Sequence, residues 1–213
     1  MEQEQLIQLI TQQVIKLLNQ DKIPVGISAR HVHLSDKDAR TLFGENYQFT
    51  KLKDLSQPGQ FATNEFVDLI GKKGTIKKVR ILGPTRPETQ VEISVSDTRK
   101  LGIKAVPRMS GDILNTPGVI IRGPKAEITI PNGVIVAARH LHASIEDAKR
   151  LNLADKDKIR VHIPGDRGGI LDGVIVRVHK DYALDLHIDV DDANAFLVNQ
   201  GDWLEFEKAG SVE

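Results

Sequence analysis

The chain contains no cysteine, few aromatic residues and no excess of charge of either sign. Cysteine is absent from all 213 residues, which excludes disulfides, thiolate metal sites and a cysteine nucleophile. Phe, Trp and Tyr together make up 4% of the chain, and Lys+Arg and Asp+Glu both total 29. Without a basic block or aromatic side chains for base stacking, the composition does not indicate a nucleic-acid-binding protein. A small molecule or another protein is the expected partner.

Long apolar runs are also missing from the sequence. No stretch approaches the roughly 20 apolar residues of a membrane-spanning helix. The Gln- and Glu-rich N-terminus has neither the basic segment nor the apolar core of a signal peptide. We therefore expect a soluble protein in the cytoplasm, without membrane contact. The 40% apolar content is sufficient for a core in one domain or in two small ones.

One motif occurs in two copies. The segment VGISARHVHLSDKDARTLFG starts at Val25, and VIVAARHLHASIEDAKRLNL starts at Val134. In both copies an apolar stretch leads into Arg-His-x-His, and the copies lie 109 residues apart. A Ser-x-x-Asp sequence follows each motif and predicts the cap of a short helix. The repeated unit is therefore predicted to be a strand, a pair of histidines and a helix.

Each histidine pair has the pattern of a metal site. Because side chains alternate along a strand, His31 and His33 should project to one face, and so should His140 and His142. Neutral imidazole is a common metal ligand, so two such pairs indicate two metal ions. A catalytic zinc ion takes three protein ligands and keeps one open position, so each pair needs a third donor.

Two residues are candidates for that third ligand. Glu92 lies in the strand-like segment QVEISV, on the face opposite its apolar positions, and His187 lies in LDLHID. An ordinary solvent-facing strand residue is the alternative interpretation of Glu92. His162 and His179 lie in predicted strands without a partner, and we interpret both as structural.

Further candidates lie in loops or carry a positive charge. Arg86 in LGPTRPET and Ser110 in PRMSGD lie among glycine and proline, where exposed backbone and a guanidinium suit an anion such as phosphate. Ordinary turn residues are the alternative interpretation. Three lysines could face a polyanionic cofactor, although solvated lysines are the default. They are Lys53, Lys72 and Lys73. The short glycine-containing segments lack the strand, turn and helix context of a known phosphate-binding loop.

Frequent short strands dominate the predicted secondary structure. Apolar segments separated by glycine and proline recur along the chain, and brief helices are predicted only after Ser35, Ser96, Ser144 and Asp191. So few helices could not cover both faces of a parallel sheet, which argues against a doubly wound fold. Small barrels or sandwiches are expected instead.

Three segments are predicted along the chain. Residues 1–20 should form an amphipathic helix, because apolar residues recur there at helical spacing. Residues 21–132 form the first predicted domain and residues 133–213 the second, with the boundary at a Pro-Asn-Gly turn. The N-terminal strand of either copy could cross over into the other domain.

Six motifs together make the chain resemble a known family. They are SARHVHLS, LKDLSQPGQFA, VRILGPTRPETQVEIS, RMSGD with the nearby TPG, GVIVAARHLHAS and LDLHIDVDDANA, in this order between Ile23 and Phe206. The sequence is identified on these motifs as similar to the PduL-type phosphate acyltransferases, the phosphate propanoyltransferases of bacterial microcompartments and related pathways. Six ordered motifs are far more specific than a single His-x-His pair.

The resemblance implies a mainly β fold with short α-helices, in which two β-barrel domains are related by internal duplication. It also implies a dinuclear zinc site where the two halves meet. The ligands of the zinc ion that meets the CoA sulfur would be His31, His33 and Glu92. The ligands of the second zinc ion would be His140, His142 and His187. Phosphate would lie at Arg86 and Ser110. The residues near CoA would be Lys53, Lys73, Leu82 and Asn194.

The implied reaction converts an acyl-CoA and phosphate reversibly into an acyl phosphate and CoA, with propionyl-CoA favoured. Since no cysteine is present and no Ser-His-Asp set is evident, our hypothesis is direct attack of bound phosphate on the thioester. Two alternatives remain open: a metal-dependent hydrolase of thioester or amide bonds, and a non-enzymatic metal-binding barrel module. The family also implies a homodimer. The N-terminal helix could pack on the barrel or bind shell or core proteins of a microcompartment.

Overall fold

The computed structural model of the protein describes residues 3–104 and 106–209. The strands are β1 (Ile23–Ser28), β2 (His31–His33), β3 (Lys51–Asp54), β4 (Phe61–Ile70), β5 (Thr75–Gly83), β6 (Gln90–Glu92), β7 (Pro107–Arg108), β8 (Val119–Arg122), β9 (Glu127–Ile130), β10 (Val134–Ala137), β11 (His140–Ala143), β12 (Lys158–Ile163), β13 (Gly169–Val178), β14 (Asp185–Asp189) and β15 (Trp203–Lys208). The helices are α1 (Gln3–Leu18), α2 (Asp36–Phe43), α3 (Val95–Leu101), α4 (Ile145–Arg150) and α5 (Val190–Phe196).

Helices α2 to α5 begin at side-chain caps. Ser35 and Ser144 accept a hydrogen bond from the backbone N–H three residues later, as the Ser-x-x-Asp pattern predicts. Helices α3 and α5 begin two residues earlier than predicted, because their caps are Ser94 and Asp189. Each of these helices directly follows a short strand that carries a candidate site residue.

Two sheets make up most of the molecule. Strands β1, β14, β11, β13, β12 and β15 close into a six-stranded barrel, in that order. The other nine strands form a curled, open sheet in the order β7-β10-β6-β2-β5-β4-β8-β9, with β3 paired to β4. The prediction of a mainly β chain with two β units and few short helices is confirmed.

The two units exchange strands at the repeated motif. Strand β1 belongs to the barrel and runs parallel to β14, whereas the next strand, β2, belongs to the open sheet. In the second copy β10 belongs to the open sheet and runs parallel to β6, and β11 returns to the barrel. The chain therefore passes from one unit to the other immediately before each His-x-His pair. The division into 21–132 and 133–213 stays a prediction.

Alternation along β2 and β11 separates core from site. Val32 and Leu141, the central residues of the two His-x-His pairs, are both fully buried in the hydrophobic cores of the sheet and the barrel. Because neighbouring strand residues point to opposite faces, the histidines on either side of them point away from these cores. Both histidine pairs thus face the junction between the two units.

Helix α1 spans most of the predicted amphipathic segment. Its apolar side chains Leu6, Ile10, Val14 and Leu17 are exposed on the surface. In the part of the chain that the structure describes, no helix combines the length and apolarity needed to cross a membrane.

Candidate active site

The first group of candidate ligands lies on β2 and β6. These antiparallel strands place Glu92 directly opposite His31, and His33 lies on the same face two residues further on. The Nε2 atom of His31 is 3.5 Å from Oε2 of Glu92. All three residues are buried, and their potential ligand atoms lie within 4.8 Å of one another. We call these three residues the first triad.

The second group is built in the same way on β11 and β14. His187 lies directly opposite His140 on the antiparallel neighbour, and His142 shares their face. Their potential ligand atoms also lie within 4.8 Å of one another. We call these three residues the second triad.

Backbone carbonyls orient the first histidine of each pair. Nδ1 of His31 is 2.8 Å from the carbonyl oxygen of Ala29, and Nδ1 of His140 is 2.7 Å from that of Ala138. Since a carbonyl oxygen only accepts, Nδ1 carries the hydrogen and Nε2 is the nitrogen available to a metal. The same contact in both copies is part of the duplicated unit.

Burial keeps three of the histidines neutral. Burial and the neighbouring His31 lower the pKa of His33 to about 3. Burial and the neighbouring His187 lower the pKa of His140 to about 4. Burial, His140 and His187 lower the pKa of His142 to about 2. Neutral imidazole is the form that binds metals, so these residues are in the binding form near pH 7.

The first triad differs because it contains a carboxylate. Burial alone would lower the pKa of His31, but the adjacent Glu92 raises it above its usual value. Burial alone would raise the pKa of Glu92, but His31, His33 and Ser110 hold it well below its usual range. Without a metal ion, the carboxylate and the imidazole therefore stabilise each other's charged forms.

Unpaired ring nitrogens show that the triads suit a metal. Nδ1 of His33 and both ring nitrogens of His142 are buried without a hydrogen-bond partner among the described residues. Buried polar atoms are normally satisfied, so such nitrogens, beside further donors, fit ligands of a bound ion. Two histidines with a glutamate, and three histidines, are both donor sets that suit a zinc ion with an open position.

A polar cluster adjoins the first triad. Arg86 Nη1 donates to Oγ of Ser110 at 2.9 Å, and Nε2 of Gln90 donates to the same oxygen at 2.9 Å. Gln90 also donates to Oε1 of Glu92 at 2.7 Å and accepts from the backbone N–H of Gly111 at 2.7 Å. The two predicted anion-binding residues are thus in contact, and Gln90 links them to the first triad.

Aromatic and cationic groups adjoin the second triad. The ring of Tyr182 stacks on His142, with 4.4 Å between centroids. The guanidinium carbon of Arg177 lies over the Tyr182 ring, 5.6 Å from its centroid. Sequence reasoning missed Gln90, Arg177 and Tyr182. The signal in the sequence for Gln90 was its position two residues before Glu92, which places both side chains on one face of β6. In the structure Gln90 lies opposite His33.

One cavity of about 630 Å³ joins these groups at the junction of the two units. Its lining includes residues of both triads together with Arg86, Ser110, Arg177 and Tyr182. A volume in this range is typical of small-molecule sites. Of the residues predicted near CoA, Lys53 and Leu82 line the cavity. The exposed residues Lys73 and Asn194 are not part of its lining.

Comparisons with known proteins point to one family. A family model described as phosphate propanoyltransferase matches residues 24–199. The chain is 48% identical over 192 residues to a phosphate propanoyltransferase of Thermotoga maritima, covering 89% of this chain and 91% of the relative. It is 46% identical to one of Salmonella typhimurium, covering 90% and 91%. It is 49% identical to one of Rhodobacter capsulatus, covering 82% and 81%.

Proposed function

The chain belongs to the phosphate propanoyltransferase family, and from this premise we propose that it transfers a short acyl group, propionyl by preference, between CoA and phosphate. The chain is accordingly an acyltransferase. In the proposed reaction a phosphate oxygen attacks the thioester carbonyl carbon, a C–O bond forms, and the C–S bond breaks to release the CoA thiolate. The reverse reaction uses the same groups.

One observation carries this proposal: two ligand triads and an arginine–serine pair line a single cavity. A phosphoryl group and a thioester both need stabilisation of negative charge, and both would fit within this cavity. A non-enzymatic module with structural zinc would be expected to have four protein ligands for each ion. Each triad offers three.

Arg86 and Ser110 are the proposed phosphate-binding residues. Arg86 is half-buried, and burial lowers the pKa of its guanidinium. An arginine in this position still carries its charge and can donate two parallel hydrogen bonds to phosphate. Gln90 holds Ser110 in place, and the resulting arrangement would orient the attacking oxygen before the reaction begins.

The two triads are the proposed zinc ligands, with His31, His33 and Glu92 around one ion and His140, His142 and His187 around the other. When bound, zinc supplies Lewis-acid stabilisation of negative charge on the departing sulfur and on phosphate. The protein's own part is to keep His33, His140 and His142 neutral and to orient the rings of His31 and His140.

CoA is proposed to enter beside Lys53 and Leu82, which line the cavity. The ammonium of Lys53 suits the phosphates of CoA. Lys73 and Asn194 stay predictions for more distant parts of the cofactor. A homodimer, a cytoplasmic or microcompartment location and a docking role for α1 also stay predictions.

Thiol release from propionyl-CoA tests the proposal. The purified protein is assayed with and without phosphate, and again after chelation and after zinc is restored. Release that needs phosphate and returns with zinc supports the proposed reaction. Release without phosphate indicates a thioester hydrolase instead, and no release with any short acyl-CoA indicates a binding module.

A further inference from the structure

A buried carboxylate lies directly beside the second triad. Asp185 lies two residues before His187 on β14, so both side chains share one face, and Asp185 lies opposite His142. Its Oδ2 atom is 2.9 Å from Nε2 of His187 and also accepts a hydrogen bond from the Ser56 hydroxyl. Asp185 is only 4% exposed. Neither the repeated motif nor the resemblance singles out this residue.

We propose that Asp185 is a positioning residue for the second metal site. A carboxylate oxygen accepts, so Nε2 of His187 carries the hydrogen and donates it to Asp185. In a neutral imidazole the other nitrogen is then the acceptor, which leaves Nδ1 of His187 available to a metal ion. The carboxylate would fix both the ring orientation and the tautomer of this ligand. This inference rests on the proposed function, because it concerns the second zinc ion.

The first half provides independent support from an equivalent position. Gln90 lies two residues before Glu92, as Asp185 does before His187, and each residue lies opposite the second histidine of its pair. Gln90 donates to the carboxylate of Glu92 at 2.7 Å. A carboxylate ligand is thus supported by a hydrogen-bond donor, and an imidazole ligand by an acceptor. Each supporting residue has the hydrogen-bonding character that its ligand needs.

The surroundings of Asp185 hold its carboxylate in place. Gly26 on β1 pairs with His187, and a Cβ atom at Gly26 would lie 2.5 Å from Oδ1 of Asp185. The corresponding residue of the other copy, 109 positions later, is Ile135, which carries a full side chain and pairs with Glu92. The missing side chain is therefore specific to the copy that contains the buried aspartate. The Ser56 hydroxyl donates a hydrogen bond to Oδ2 of the same carboxylate.

Zinc titration of the full-length protein against a competing chelator tests this inference. We expect two zinc ions per wild-type chain. In Asp185→Asn the affinity of one ion should fall about 10–100-fold, the usual effect of losing a supporting residue, while the other ion is unaffected. Gly26→Ala should weaken the same ion, because the three atoms nearest the added methyl group all belong to the Asp185 carboxyl group, which must move.

Asp192→Asn is the matched control. Asp192 lies in the same half and bonds to Arg139, not to a histidine. This variant should lower the unfolding temperature measured in EDTA and keep both zinc affinities. If Asp185→Asn does not fold, Ser56→Ala decides by the same titration, because it removes one hydrogen bond from Asp185 and leaves the carboxylate in place. A smaller loss of affinity for one ion is then expected.

The outcomes separate this inference from the proposed function. Wild-type protein that binds no zinc overturns both. Wild-type protein with two ions, together with unchanged affinities in Asp185→Asn and Gly26→Ala, overturns the role of Asp185 alone. Selective loss of one ion in these variants, but not in Asp192→Asn, supports it.

Discussion

The two halves of the molecule present the same pair of histidines but complete it with different third residues. The first half adds Glu92 and supports it with Gln90, whereas the second adds His187 and supports it with Asp185. The loop before the third ligand also differs, since Arg86 stands where the second half has Asp181, 95 residues later. A duplicated framework therefore supports two chemically distinct sites, and Arg86, the proposed phosphate-binding residue, belongs to the first.

A change of spacing accompanies this divergence. The histidine pairs are 109 residues apart, but Glu92 and His187 are 95 residues apart. The first half has extra residues between α2 and β4, and they include β3. From this segment Gln57 bonds to the backbone of Ala183, and Ser56 bonds to Asp185, both in the second half. The extra segment of one half thus supports the site of the other.

Separating the two halves should have the largest effect, because neither half contains all the strands of its sheet. The fragment 133–213 lacks β1 and leaves the barrel open between β14 and β15, so we expect no cooperative thermal unfolding by circular dichroism. As a control, residues 21–29 fused through a short linker after β15 should restore cooperative unfolding, because β1 and β15 are antiparallel neighbours. A fragment that folds without β1 would show that the strand exchange is dispensable.

Removing one ligand from each half tests whether both triads are needed. His31→Ala and His140→Ala should each lose one zinc ion, measured by elemental analysis. Phosphate-dependent thiol release should fall more than about 100-fold in both, beyond the usual loss for a supporting residue. His162→Ala, which changes a half-exposed histidine outside both triads, should retain metal and turnover. Full turnover in either triad variant would mean that one half suffices.

Replacing the charged loop residue of each half by alanine tests whether the proposed phosphate site depends on the first half alone. Arg86→Ala should raise the phosphate KM or slow turnover by about 100-fold, as loss of one charge-stabilising donor typically does. Zinc content should be unchanged. Asp181→Ala in the corresponding loop is the control, and its kinetics should match those of the wild type because Asp181 is exposed. Normal phosphate kinetics in Arg86→Ala would remove this residue from the proposed role.

Acid should distinguish the halves in metal-free protein. The lowered pKa values of His140 and His142 mean that the unfolded chain binds more protons below its ordinary histidine pKa of about 6.5. Their contribution to stability is therefore lost as the pH falls from about 6.5 toward 4. His31, with a raised pKa, has the opposite sign and stabilises the folded state in acid.

We therefore compare unfolding temperatures in EDTA at pH 7 and pH 5. His142→Gln should reduce the decrease in unfolding temperature between pH 7 and pH 5, and His31→Gln should enlarge it. Each kcal/mol of stability corresponds to about 2–4 °C in a protein of this size. Equal decreases in both variants would contradict the different electrostatics of the two triads.

The smallest expected effect comes from the ion pair that both halves share. Arg30 lies 2.8 Å from Asp97, and Arg139 lies 2.9 Å from Asp192. Both arginines are partly exposed, so Arg30→Ala and Arg139→Ala should each lower the free energy of unfolding by about 0.2–1 kcal/mol. Urea unfolding at pH 7 measures this. A several-fold larger loss in one variant would show that the pairs are not equivalent.

The candidate ligands were the part of the site that could best be predicted from the sequence. His31, His33, His140 and His142 follow from the repeat and strand alternation, and the structure brings each pair together with the third residue that the resemblance implied. Gln90 and Asp185 were not predicted from the sequence, although each lies two residues before the third ligand of its triad. The change from 109 to 95 residues concealed that equivalence.

The sequence by itself determined the repeated strand, histidine pair and capped helix, because these depend on local alternation and on hydrogen bonds between near neighbours. It also determined that any metal site must use histidine and carboxylate, since cysteine is absent. Only the tertiary structure decided that β1 joins the barrel while β10 joins the open sheet. It also decided that Ser56 bonds to Asp185 and that residues of both triads line one cavity. These features depend on pairing between strands far apart in the chain, and local sequence patterns do not specify which distant strands will meet.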